Sequence, residues 1–261
     1  MAARNASCRL RVVLAALALM AAAPAARADV ITLRADEWCP YNCAEDSDMP
    51  GYGIEIAREI FAKAGHTLDY KNMAWARALD ECTKSTIDAV IGAARLEAPD
   101  LVYPEETIAV ADNTFAVRHD SAWRYQGPAS LQGIKLGAIR GYSYEGEVGE
   151  HVEAHPRDQL KVDFVGGDQA LAMNLKKLVA GRIDATVDAG PVLAYKAKQM
   201  GLADKVRFVG SVDASQTYIA FSPGNPKSRE YAALLDRGIA EMRASGRLQQ
   251  ILDRYGVSDW K

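Results

Sequence analysis

The stretch Ile87-Asp88-Ala89-Val90-Ile91-Gly92-Ala93-Ala94-Arg95 has an echo further along the chain, Arg182-Ile183-Asp184-Ala185-Thr186-Val187-Asp188-Ala189-Gly190. In both places an amphipathic pattern, from Leu79 onward and from Leu175 onward, runs into Ile-Asp-Ala and then a short β-branched run. This reads as a helix feeding a buried strand. Two α/β units of one plan predict two lobes facing each other. A ligand would sit between the strand ends, where open α/β sheets present loops and helix N-termini.

Outward from this pair, the amino terminus reads as a secretory signal peptide spanning residues 1–28. Arg4, Arg9 and Arg11 make a positive leader, Val12 to Ala23 an apolar core, and Ala26-Arg27-Ala28 a cleavage site. That core is too short to span a bilayer as a helix. Its removal would take away four arginines and no acid, making a formal charge of −3 more negative. An acidic chain without basic runs argues against nucleic acid or an anionic membrane as partner. The expected product is periplasmic and monomeric, with neither cofactor nor metal.

Of the cysteines past the leader, Cys39 and Cys43 flank Pro40-Tyr41-Asn42, and an exported setting favours a small disulfide loop. Metal ligation or a redox pair would need further ligands nearby or C-x-x-C spacing. Cys82 is left over within a helical run. Trp38 and Tyr41 follow the first strand, Val30 to Arg34, where aromatics either pack or wall a ligand. Trp75 and Arg77 stand at a strand-to-helix junction. They either face the cleft, or the Trp is buried and the Arg bound to a neighbouring carboxylate.

Ile108 to Val117 reads as the crossing into the second lobe, and Tyr218 to Phe221 as a strand returning to the first. The lobes are therefore expected at 29–113 with 218–261, and at 114–217. Val206 to Val209 is expected as a separate strand, Asp168 as the N-cap of a helix from Gln169, and Glu230 to Tyr255 as a helix broken near Gly246. Gly141 and Ser143 open a helix whose free N–H groups suit an anion. His151 and His155 have the i, i+4 spacing of metal ligands, on a face as acidic as any solvated one. Asp188 emerges at a strand end as a candidate cleft carboxylate.

Taken in order, these parts resemble the family 3 bacterial solute-binding proteins, the periplasmic receptors of polar amino-acid transporters. The resemblance runs through the aromatic-Pro loop at Trp38 to Tyr41, the Gly-x-x-Ile-x-x-Ala helix at Gly53 and Ile87-Asp88-Ala89. It continues through the Gly-x-Ser turn at Gly141, Gly-Arg-Ile-Asp-Ala at 181 to 185, and the terminal helices. It implies a type II periplasmic binding protein fold, two α/β lobes joined by two crossing strands and closing by hinge motion. It also implies Trp38 and Trp75 against the ligand, and Ser143 with the N–H groups after Gly141 on a ligand carboxylate. Asp188-Ala189 then stands where an acid takes an α-amino group. Tyr142 lies within the same turn.

Two departures stand out. The arginine of the family's α-amino-acid binders belongs to a longer, hydroxyl-rich segment after the first-lobe strand, leaving Arg95 or Arg77 to take its place. The acid at Asp188 comes one residue early. Loss of a bidentate Arg partner from a buried carboxylate is costly, which argues against an ordinary α-amino acid. The leading expectation is a protein capturing a small polar, carboxylate-bearing solute for an inner-membrane ABC permease. Two others compete: a secreted prephenate or arogenate dehydratase using Glu37, Asp188 and the Trp38/Tyr41 wall, and a ligand-sensing partner of a membrane receptor.

Overall fold

A computed structural model describes residues 28–261, with the side chain of Asp213 left undescribed. All but the last residue of the expected signal peptide lies outside this range. The first half runs β1 (Val30–Ala35), α1 (Tyr52–Lys63), β2 (Thr67–Asn72), α2 (Trp75–Thr83) and β3 (Ala89–Ala93). The second repeats the plan as β5 (Leu136–Ile139), α3 (Gly146–Ala154), β6 (Val162–Val165), α4 (Ala170–Val179) and β7 (Ala185–Asp188). Between them runs β4 (Ala109–Arg118). After β7 come α5 (Gly190–Gln199), β8 (Val206–Phe221), α6 (Ser228–Ala244) and α7 (Arg247–Tyr255).

The strand order is β2-β1-β3-β8-β4-β7-β5-β6. Read inward from either edge, β2-β1-β3 and β6-β5-β7 are the same arrangement, each parallel throughout. The innermost strand of each set pairs antiparallel with a crossing strand, β3 with β8 and β7 with β4. The two lobes are thus joined by β4 and β8, which pair with each other from Ala109↔Thr217 to Arg118↔Val206.

The echoed Ile-Asp-Ala earns its repetition structurally. Asp88 accepts hydrogen bonds from the Thr32 N–H and hydroxyl at 2.8 and 2.7 Å, and from Asn225 at 2.8 Å. Asp184 accepts from the Lys135 N–H at 2.8 Å. In each half the aspartate ties the incoming third strand to the first. Ile87 and Ile183 are both buried beside them, so the triplet seats one strand in the core and satisfies its neighbour's backbone.

Alternation puts Ile31, Leu33 and Ala35 of β1 inward, and helical spacing does the same for Ile56, Ile60 and Phe61 of α1. Phe221 from β8 and Leu235, Ile239 and Ile251 from the terminal helices close this core. In the second half Phe115, Leu131, Leu136, Val148 and Val187 form their own cluster. Gly246, at φ 77°, separates α6 from α7 where a helix break is expected.

Two expectations need correction. Val206 to Val209 and Tyr218 to Phe221 belong to one strand, β8, because the polar residues between them pair with β4 rather than forming a loop. The N-cap of α4 is Gln169, not Asp168, and no side chain caps it.

A candidate ligand cleft between the lobes

The C-terminal ends of β1, β3, β5 and β7 converge on one cleft, floored by Ala111 and Asn113 of β4 and Ser215 and Thr217 of β8. It encloses about 680 Å³ of non-protein space, open solvent at its mouth included. A parallel sheet places its ligand where neighbouring strands lead to opposite faces, and here two such switch points face each other.

The loop after β1 is shaped to present Trp38. Its N–H donates to the Asn42 carbonyl at 2.8 Å, Tyr41 donates back to the Trp38 carbonyl at 3.0 Å, and a Cys39–Cys43 disulfide closes the turn. The Tyr41 ring stacks on the indole at 4.3 Å between centroids. A Cβ added at Gly92 would meet the indole at 3.7 Å, and at φ 103° the position also favours glycine.

The lobes close on one another through side chains. The Trp38 indole N–H donates to Asp188 Oδ1 at 2.7 Å, the Tyr142 hydroxyl to Asp36 Oδ2 at 2.7 Å, and Lys196 Nζ to Glu37 Oε1 at 2.7 Å. Gly141 belongs to the same closed arrangement. Its Cβ, were there one, would lie 2.8 Å from the Ala76 methyl of the facing lobe.

Asp188 is 4% exposed. Its Oδ1 also accepts the Ala189 N–H at 2.8 Å, whereas Oδ2 is buried without a hydrogen-bond partner. Burial pushes this carboxyl up to about 7, against the opposing pull of the Trp38 and Ala189 donors. Glu97, half-buried, is held by the Trp75 indole N–H at 2.9 Å and faces the Ser143 N–H; burial raises it to about 7. Asp36 is raised to about 6, again chiefly by burial and against the Tyr142 bond.

Of the residues expected to hold a ligand, Trp38, Trp75, Tyr142, Ser143 and Asp188 line this cleft. Tyr41 stands behind Trp38, and Gly141 sits at the lobe contact. The arginines lie elsewhere. Arg77 is an exposed partner of Glu81 at 2.7 Å. Arg95 donates to the Pro104 carbonyl at 2.7 Å and lies over the Tyr103 and Tyr218 rings, 5.1 and 4.9 Å from their centroids. Neither is among the residues lining the cleft, and each is engaged by partners on its own surface. Glu37 is likewise occupied by Lys196.

Asp36 and Glu97 line the cleft without having been singled out from the sequence. Asp36 follows the first strand directly, and its place at a strand's C-terminal end was the available signal. Glu97 lies in the segment where an arginine draws the eye. His151 is buried with neither ring nitrogen bonded, and its ring lies 4.7 Å from that of His155. No group of three His, Cys, Asp or Glu among the described residues is placed to hold a metal ion. Cys82 is a buried free thiol.

The family model of the bacterial extracellular solute-binding proteins, family 3, matches residues 31–258. Solved structures with the same fold include a histidine kinase sensor domain with similarity to periplasmic binding proteins. It is 21% identical, with a TM-score of 0.71, covering 87% of this chain and 95% of that one. An ancestral arginine-binding protein bound to arginine is also 21% identical, with a TM-score of 0.69, over 87% and 97%. A structure from work on glutathione import via GshT and the cystine ABC importer TcyBC of Streptococcus mutans is 18% identical, with a TM-score of 0.75, over 90% and 98%. A search of the curated proteins returns no match.

Proposed function

Because the chain belongs to the family 3 bacterial extracellular solute-binding proteins, we propose that it captures a small polar solute in the periplasm and delivers it, as a monomer, to an inner-membrane ABC permease. The observation that carries this reading is the cleft itself: side chains from both lobes meet across it, so a solute seated there would be held by closure. No helix among the described residues is long and apolar enough to cross a membrane. Trp38, Trp75, Tyr142, Ser143 and Asp188 are the residues proposed to touch the solute. The proposed lobes are 29–113 with 218–261, and 114–217, so that the ligand bridges two bodies between which the chain crosses in β4 and β8.

The test is small-angle scattering of the protein, unfolded and refolded to strip bound solute, before and after addition of a cell extract filtered to small molecules. A fall in radius of gyration on addition supports capture by closure. An unchanged radius, with no small molecule retained by native mass spectrometry, contradicts it.

A second reading has a specific observation behind it. Carboxyls held protonated near neutrality, as at Asp188 and Glu97, suit general acid catalysis, and a secreted dehydratase would use one. Prephenate, however, brings two carboxylates, and no Lys, Arg or His lines the cleft among the described residues. Binding without chemistry therefore ranks first, and absence of turnover with prephenate and arogenate would remove the enzyme. A sensory partner in place of the permease would use the same cleft; pull-down with the membrane protein encoded beside it separates the two.

A further inference from the structure

The charge of the cleft runs one way. Asp36, Glu97, Asp112, Glu145 and Asp188 line it, with no lining Lys, Arg or His among the described residues. Acids alone do not make a site, but Asp188 adds an independent observation. Its Oδ1 has two donors, while its Oδ2 is buried and has none. A buried acceptor left without a donor is costly, and this one belongs to a residue lining the cleft.

The opposite corner is occupied by the protein's own acid. Glu97 faces the Ser143 N–H, and the neighbouring Tyr142 N–H of the same turn is given to the Ile139 carbonyl at 3.3 Å. The arginine that could have served a ligand carboxylate is turned out onto Tyr103 and Tyr218. A ligand carboxylate would thus enter a cleft of acids that offers it no cation, with the Ser143 N–H and both indole N–H groups already engaged. A metal ion fits no better, since no three ligating side chains of the described residues gather closely enough. Two indoles remain as walls, each with its N–H committed to an acid, Trp38 to Asp188 and Trp75 to Glu97. Indole walls favour organic cations.

Resting on the reading of this chain as a solute-binding protein, we infer that the solute is an organic cation without a carboxylate, an amine or guanidinium, its charge seated against Asp188 and Glu97 between the Trp38 and Trp75 indoles.

The test is calorimetric titration of the stripped and refolded protein with matched pairs that differ by a carboxylate: agmatine and arginine, cadaverine and lysine, histamine and histidine, with succinate added. At least one amine should bind while its amino-acid partner, at the same concentration, does not. Asp188→Asn and Glu97→Gln, each shown by circular dichroism to be folded, should each weaken that amine on the order of 10- to 100-fold. An amino acid or succinate binding as well as the amines would overturn the inference and leave solute capture standing. Amine affinity unmoved in both variants would also overturn it. If no compound of the panel binds, the inference fails; native mass spectrometry of unstripped protein then decides whether solute capture fails with it.

Discussion

The ends of β3 and β7 begin alike and finish differently. Both strands enter through Ile-Asp-Ala, and in both the aspartate secures the neighbouring first strand. Beyond the strands the likeness stops. The register of β3 against β8 shifts between Ile91 and Ala93, around Gly92, and beyond the strand Arg95 points outward and Glu97 lines the cleft. β7 itself ends on Asp188, with one oxygen tied to Trp38 and the other unpartnered. The repeated residues tie the strands of each lobe together, and the unrepeated ones that follow them in the chain, Glu97 and Asp188, line the cleft.

Substitutions at the repeated positions should therefore cost stability and spare specificity. The largest effect is expected at Ile183, 1% exposed and packed so closely over Gly137 that a Cβ there would lie 2.5 Å from its Cδ1. Ile183→Ala should lower unfolding free energy by about 2–5 kcal/mol, measured by urea denaturation. A loss below about 1 kcal/mol would mean that the echo does not carry the lobe's core. Asp88→Ala comes next, at roughly 1.5–3 kcal/mol, because it abandons the Thr32 N–H and hydroxyl. It should leave ligand selectivity unchanged, and altered selectivity would erase the distinction between the two classes of position.

The unrepeated acids should act oppositely. Asp188 has a folded pKa of about 7 against an ordinary 3.8, so between those values the folded protein holds the proton that the unfolded chain releases. Its contribution to stability is greatest below pH 4 and declines as pH rises to about 7. Ligand-free Asp188→Asn should therefore lose less melting temperature than the unsubstituted protein between pH 5 and pH 8. An identical decline in both would show that Asp188 is not the buried acid described. The smallest effect belongs to Arg77, whose side chain is 69% exposed. Arg77→Ala should change stability by less than about 0.5 kcal/mol and leave binding intact. Lost binding would restore Arg77 to the cleft.

Much of this was legible in the sequence. The two-lobed α/β plan followed from a repeated local pattern, and local patterns carry strand and helix period. Trp38, Ser143 and Asp188 could be placed because Asp188 ends a strand and the other two lie within four residues of one. What could not be read depends on distant partners. Arg95 is turned outward by Tyr103 and Tyr218, and nothing near it in the chain announces that. The middle of β8 is polar because it crosses between lobes beside β4, so it lacks the alternation that marks a half-buried strand. Glu97 meets Trp75 and, from the other lobe, Ser143, partners distant from it in the chain.

That cleft carboxylates bind the solute is a claim about the pH dependence of agmatine affinity, since agmatine keeps its positive charge from pH 5.5 to pH 8. Asp188 faces Asp36, Tyr41, Tyr142 and Tyr144 as well as Trp38, and Glu97 faces Asp36, Tyr103 and Trp75. None of these supplies a competing cation. Titration calorimetry should find agmatine bound several-fold more tightly at pH 8 than at pH 5.5, with proton release at the lower pH as the carboxyls ionise. An affinity that is flat or falls with rising pH would contradict the claim.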